Sequence, residues 1–489
     1  MVILIAFIGI TGIVIRNGQI RRIFNFRREL RKIKVDRKTR KIKHTQPQDG
    51  TLIGHTGRRP IYIPDDAKHV FICGTTGSGK TVALSNFIKR AIDKDYPALI
   101  IDGKGDTGQG SILDIVNTMN NEHANATGHR KKVYIINLSD PANSDHYNPF
   151  KGASPTVAKD MIINMTDWSE EHYKLNAERY LQRILILLEI GKVSLSFRKI
   201  IKCIPVDNFL GLSSKLLEKE LITKEQHMSN IEISKTSGKI AQGSMARFST
   251  IAESEIGGIF NSKGVDIAQA LQEKAIILFI LNPLTYPELS PAFGRLVLID
   301  AKKAIGSLFK MNTSSQAERA NTTQATQTNP TEERPNIINA PIPQRTFFIL
   351  DEINVYATTA LTDLVNKSRS AGVTCILSTQ SLSDLDFACG DAYKEQIIEN
   401  CNNYIVMRQN SGVNAEHWAN ILGTRSTMEV TYQLQQRGLE TSETGFGSAR
   451  RVREYLYHPD DIKTLQTGKG IYLSRDTNAN SRVDVYKGV

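Results

Sequence analysis

Seven apolar runs of strand length punctuate the chain: HVFIC (69–73), ALII (98–101), VYIIN (133–137), AIILFIL (275–281), TFFIL (346–350), TCILS (374–378) and YIVM (404–407). Each is continuously apolar rather than alternating, which predicts strands covered on both faces, as in parallel sheets flanked by crossover helices. Helical periodicity fills most of the intervals, so the pattern predicts an α/β fold with a mostly parallel sheet. The rhythm breaks between Ser154 and Gly264. No strand-like run occurs there, and the segment opens with a helix start signal at Ser154 and Pro155. Residues 154–264 are therefore expected to form an all-α domain inserted between the two parts of the sheet domain, 46–153 and 265–489. A second gap, 312–341, is rich in Asn, Thr, Gln and Pro with almost no apolar side chains. Such a segment buries too little to offset its ordering entropy and is expected to be a disordered insertion. Near the end, GIYLS and VDVYKG around RDTNANSR predict a pair of short strands.

The first fifteen residues, MVILIAFIGITGIVI, contain Thr11 as their one polar side chain. As a helix they would be ~22 Å long at ~1.5 Å per residue, against a hydrocarbon core of ~30 Å. A signal peptide is disfavoured because the charge follows the apolar stretch and no small-residue cleavage site appears; a buried core helix is the plain alternative. Residues 16–43 hold 13 Lys/Arg against Glu29 and Asp36. That cluster favours a short N-terminal membrane segment at 1–15 and a basic juxtamembrane segment at 16–45 facing anionic lipid of the inner (plasma) membrane, with the bulk of the chain cytoplasmic.

This clustering changes the meaning of the net charge of +12. Outside it the chain carries 49 basic and 48 acidic side chains, so the globular part has no overall nucleic-acid signature. The five cysteines are widely spaced without a CxxC pair, which argues for a reducing compartment and against zinc or disulfides.

The first strand runs straight into Gly74-Thr75-Thr76-Gly77-Ser78-Gly79-Lys80-Thr81, the spacing G-x-x-x-x-G-K-[ST] that wraps backbone N–H groups around a phosphate. Lys80 can reach the outer phosphates and the Thr81 hydroxyl can ligate Mg²⁺, so ATP with Mg²⁺ is the expected ligand. The bland reading is a glycine-rich turn; the preceding strand and the helical TVALSNFIKRAI that follows weigh against it. Hydrolysis also needs an acid to hold Mg²⁺ and a base for water. Two strand ends compete. ALIIDGKGD supplies Asp102, for which an ordinary loop cap is a fair reading. TFFILDE supplies Asp351 and Glu352, which can divide the work: Asp351 on the metal, Glu352 on the water. The strand TCILS delivers Gln380 to the ligand-binding edge of the sheet, where an amide can sense the γ-phosphate. Arg369, on the sheet rim, is a candidate finger toward a neighbouring subunit or a solvated surface arginine; Arg408 is a second candidate.

These pieces, in this order, resemble the type IV secretion system coupling proteins of the TraG/TraD family, relatives of the FtsK and HerA motors. The resemblance is carried by HVFICGTTGSGKT, IIDGKGD, YNPFKG, FFILDEIN, SRSAGV, STQSLSDL and NCNNYIVMR, spanning 69–408. It implies a RecA/FtsK-like P-loop domain in a membrane-anchored homohexamer, with Lys80, Thr81, Asp351, Glu352 and Gln380 as the catalytic set and Arg369 offered in trans. It also implies DNA as cargo, single-stranded and relaxase-linked, or protein substrates, with relaxosome and secretion-channel proteins as partners. The chain departs from the family in having at most one short membrane helix and no long acidic C-terminal tail. Two rival readings stand beside it: an FtsK-like double-stranded DNA translocase, and a non-catalytic docking platform that would tolerate Glu352→Gln.

Overall fold

Every one of the seven apolar runs is a strand in the computed structural model, which describes residues 49–325, 345–437 and 440–486. The apolar segment 1–15 and the basic segment 16–45 lie outside the described residues. Among the described residues no helix is long and apolar enough to cross a membrane.

The strands in chain order are β1 (Gly50–Thr56), β2 (Arg59–Pro64), β3 (Val70–Cys73), β4 (Ala98–Asp102), β5 (Val133–Asn137), β6 (Ile276–Ile280), β7 (Thr346–Asp351), β8 (Val373–Thr379), β9 (Asn403–Met407), β10 (Thr424–Arg437), β11 (Glu440–Tyr455), β12 (Lys469–Ser474) and β13 (Ala479–Val485). All but β10 and β11 join one sheet in the order β2-β1-β13-β12-β9-β3-β8-β7-β4-β6-β5. From β9 to β5 the strands run parallel; the four beyond β9 are antiparallel.

Burial explains the continuous apolarity. Every residue of β3, β4, β6, β7, β8 and β9 is buried. Ile72, Ile100, Leu278, Ile349, Ile376 and Ile405 pack with Leu84, Phe87 and Ile88 of the helix Lys80–Asp93 and with Ile112 and Val116 of the helix Ile112–Thr127. On the other face Phe279 meets Tyr147 edge to face and Phe293 at a tilt, at centroid distances of 4.9 and 6.0 Å. Burying one such side chain is worth about 1.5–3 kcal/mol, so slipping any central strand by one residue would forfeit contacts on both faces at once.

From Pro155 to Glu253 the chain is helical, with a 20-residue helix, Glu171–Ile190, at its centre. The motif at 147–152 ties it to the sheet domain: Asn148 Nδ2 donates to the Leu195 carbonyl at 3.0 Å and Phe150 stacks on Phe197 at a centroid distance of 6.3 Å. The motif is held in turn from the other side. The Tyr147 hydroxyl donates to Asp300 at 2.9 Å, and Lys303 bridges Asp300 and Asp266 at 2.9 and 3.2 Å. The stretch expected to be disordered, 312–341, begins inside a helix that runs from Leu289 to Ala325. This corrects the expectation over 312–325. A helix already anchored by buried Leu296, Val297 and Ala301 can continue into this stretch because propagation adds one hydrogen bond per residue fixed and skips the costly nucleus. Residues 326–344 lie outside the described residues.

Residues 411–464 form a compact unit of their own. The helix Gly412–Leu422 and the short helix Pro459–Lys463 bury Trp418 and Ile462. Between them in sequence, β10 and β11 pair as a two-stranded antiparallel ribbon, which the apolar pattern does not predict.

Candidate active site

The phosphate-loop sequence leaves β3 and turns directly into the helix Lys80–Asp93. Gly77 and Gly79 have φ of 74° and 112°, a left-handed backbone open to glycine at little cost. The helix begins at Gly79 without a side-chain cap and without an acidic residue in its first turn. Its N-terminal N–H groups and dipole are thus left for an external anion. Neighbouring strand ends brace the loop: Gly74 N–H donates to the Thr379 carbonyl at 3.3 Å and Thr75 N–H to the Arg408 carbonyl at 2.9 Å. From the turn before β12, Thr467 Oγ1 donates to the Gly77 carbonyl at 3.0 Å and Gly468 N–H to the Ser78 carbonyl at 2.9 Å.

Lys80 is buried. Its Nζ donates to the Gly74 carbonyl at 2.7 Å and stands 3.5 Å from Glu352 Oε1. Asp351 and Glu352, at the end of β7, are 2% and 3% exposed. Glu352 has a left-handed backbone, φ 47° and ψ 55°. Strain of about 1–3 kcal/mol at a non-glycine residue is tolerated only where the surroundings fix it. Here Tyr356, itself buried, donates its hydroxyl to the Asp351 carbonyl at 3.0 Å. Burial pushes both carboxyls above the usual range; the Asp351 charge adds to the shift at Glu352, and Lys80 opposes it in both. Asp351 Oδ1 and both Glu352 oxygens lack a well-formed hydrogen bond within the described protein. Buried orphaned acceptors of this kind suit a cation or a bound water.

Asp351 has a neighbour that the sequence did not reveal. β4 and β7 pair in register, which sets Asp102 directly beside Asp351. Asp102 caps its own turn, accepting from Lys104 N–H at 2.9 Å and Gly105 N–H at 3.4 Å. Burial first, and the Asp351 charge second, push its carboxyl up to about 7.

The loop and the acids enclose a cavity of about 190 Å³, lined by Thr75, Thr76, Gly77, Gly79, Lys80, Thr81, Val82, Lys104, Asp351, Glu352 and Thr467. Gln380 joins from the end of β8, its Oε1 accepting from the Thr76 hydroxyl at 3.0 Å. Of the sequence candidates, Lys80, Thr81, Asp351, Glu352 and Gln380 therefore converge. Arg408 meets the loop through its carbonyl, which accepts from Thr75 N–H. Arg369 does not join them: it is exposed and precedes β8, whereas Gln380 follows that strand. The seven residues of β8, at ~3.3 Å each, put ~23 Å between the two ends. Arg369 instead sits near His69 at the opposite rim, where burial, with a smaller contribution from the Arg369 charge, holds the His69 imidazole down to about 4. A larger cleft of about 920 Å³, walled by Asp160, Asp167, Lys174 and Lys302 among others, shares no residue with this site and shows no converging set.

Residues 345–467 match the family model for the TraM recognition site of TraD and TraG, and residues 50–255 match that for the central domain of the helicase HerA. The unbound bacterial conjugative coupling protein TrwB is similar with a TM-score of 0.58 at 15% identity, covering 90% of each chain. TrwB in complex with ADP and Mg²⁺ gives 0.56 at 14% identity, over 90% of this chain and 91% of that one. The complex with a non-hydrolysable ATP analogue gives 0.56 at 16%, with the same coverage. At these identities the likeness speaks for the fold. An uncharacterized protein of Mycoplasma pneumoniae is 30% identical over 93 residues, 17% of this chain and 78% of that protein.

Proposed function

Because the chain belongs to the TraG/TraD family of coupling proteins, built on a HerA-like P-loop core, we propose that it is a conjugation coupling ATPase whose hydrolytic centre is the Lys80–Glu352 cavity. The observation that carries this is the convergence of a capless helix N-terminus, a buried lysine and two buried acids with unfilled acceptors on one small space.

Each residue has a task there. The loop from Gly74 to Thr81 wraps the phosphates with backbone donors, and Lys80 leaves the Gly74 carbonyl to neutralise them. Asp351 and the Thr81 hydroxyl fit Mg²⁺. That ion takes most of its ligands from phosphates and water and needs few from the protein. When bound, Mg²⁺ neutralises charge that develops on the phosphate oxygens. Glu352 accepts the proton of the attacking water. Gln380, hydrogen-bonded to Thr76, reports the state of the terminal phosphate to β8.

The work is transfer of relaxase-linked single-stranded DNA, or of protein, into a secretion channel. A homohexameric ring anchored by residues 1–15, with the 16–45 cluster against anionic inner-membrane lipid, would supply the geometry in which Arg369 meets a neighbour's nucleotide. The test is ATP hydrolysis by the purified chain with and without Mg²⁺, alongside Lys80→Ala. Magnesium-dependent turnover that Lys80→Ala abolishes supports the proposal; turnover that survives the substitution refutes it. Transfer of a marked plasmid from cells carrying each variant then tests the coupling role.

A further inference from the structure

We propose that Lys104 is a second substrate-contacting lysine, which binds the terminal phosphate of the nucleotide from the wall opposite the phosphate loop. The assignment rests on the ATPase reading of the site.

Lys104 lines the same cavity as Lys80, Asp351 and Glu352, yet it arrives from β4, which two strands, β8 and β7, separate from β3. It is therefore the cation on the acids' side of the space, as Lys80 is the cation on the loop's side. Its backbone is fixed on both flanks. Asp102 accepts from Lys104 N–H and Gly105 N–H. Gly103 lies so close to β7 that a Cβ there would be 2.8 Å from the Asp351 carbonyl oxygen, and a Cβ on Gly105 would collide with the Leu281 carbonyl.

The side chain, by contrast, is exposed. Among the described residues no carboxylate forms an ion pair with it, although its charge reaches Asp102, Asp351 and Glu352 and draws all three downward. A rigidly mounted, unpaired cation at the mouth of an acid-lined cavity has its anion still to come. A polyphosphate held by the loop brings one. A lysine serving only as a solvated surface charge would need neither the locked turn nor a place in this wall.

The experiment is titration of the full chain, with Mg²⁺, by fluorescent ADP and by ATPγS, for wild type, Lys104→Ala and Lys104→Arg. One charge-assisted hydrogen bond to phosphate corresponds to roughly a tenfold change in affinity. Lys104→Ala should weaken ATPγS about tenfold, leave ADP within about twofold, and lower kcat; Lys104→Arg should recover most of the ATPγS affinity. Equal losses for both nucleotides, or none, overturn the assignment while leaving the ATPase reading intact. A wild-type chain that binds neither nucleotide overturns both.

Discussion

Lys80 Nζ and Glu352 Oε1 stand 3.5 Å apart, while the lysine's hydrogen bond goes to the Gly74 carbonyl at 2.7 Å. The two charged groups thus face one another without a hydrogen bond between them. An arriving phosphate competes with Glu352 for Lys80, and the carboxylate is then free to act on water. Glu352→Gln keeps the shape and removes the base. We expect kcat to fall by about 10²–10⁴, with ATP affinity unchanged or tighter because a negative charge near the phosphates is gone. Single-turnover hydrolysis and equilibrium binding measure the two quantities separately. Turnover within a few-fold of wild type would assign the base elsewhere; plasmid transfer that persists although turnover is lost would favour the docking-platform reading.

Gly103 shows how much the site depends on backbone. A Cβ added there would press on the Asp351 carbonyl at 2.8 Å and on Glu352 Cβ at 3.0 Å, and neither belongs to a flexible side-chain end. Gly103→Ala must therefore displace the strained turn that aims Glu352. Overpacking of this kind costs about 1–3 kcal/mol, and the displaced carboxylate should depress kcat more than nucleotide affinity. Thermal unfolding and steady-state kinetics check both effects. A variant with wild-type Tm and kcat would show that the β4 and β7 ends are not rigidly set against each other.

Asp102 gives a pH signature. Its carboxyl is pushed up to about 7 in the folded chain from an ordinary value of 3.8. Between those two pH values the folded protein retains a proton that the unfolded chain has released, so stability falls as pH rises through the window, and the loss is complete above it. Asn at this position can still accept from Lys104 and Gly105 N–H but has no proton to lose. The Tm of nucleotide-free Asp102→Asn relative to wild type should therefore be higher at pH 8 than at pH 5. The same difference at both pH values would mean that Asp102 ionises normally.

Much of this was legible in the sequence. Continuous apolar runs betrayed strands buried on both faces, and the loop spacing and the acid pair at 351 and 352 picked out residues that the fold brings around one cavity. Sheet order was not legible, because nothing in ALIID or TFFILD states that they lie side by side; the partnership of Asp102 with Asp351 follows only from that pairing. The ribbon of β10 and β11 was hidden for a different reason. Its described side chains from Thr424 to Thr431 and Ser448 to Tyr455 are exposed or half-buried, so neither strand shows the alternation that marks one buried face. Charge pairs link its strands instead, Arg425 with Glu454 and Arg450 with Glu429. Over 312–325 composition misled, because it records how little a segment can bury and not whether a helix already under way will continue through it.

Arg369 carries the prediction that reaches beyond one chain. Within the chain it lies at the rim of the sheet opposite the loop, about a strand's length away, so it cannot serve the cavity that Lys80 of the same chain lines. If it acts, it acts on a neighbour, and activity must depend on assembly. Specific ATPase activity of the wild type should rise with protein concentration, and Arg369→Ala should lower it by about 10³ or more while dilute-chain nucleotide affinity is unchanged. Mixing supplies the decisive measurement. A Lys80→Ala chain has a dead pocket and an intact arginine; an Arg369→Ala chain has the reverse. Mixed rings bring a live pocket and a live arginine together at some interfaces, so the mixture should exceed either variant alone. A mixture no more active than its components, with wild-type activity independent of concentration, would place the finger on another residue or remove the need for one.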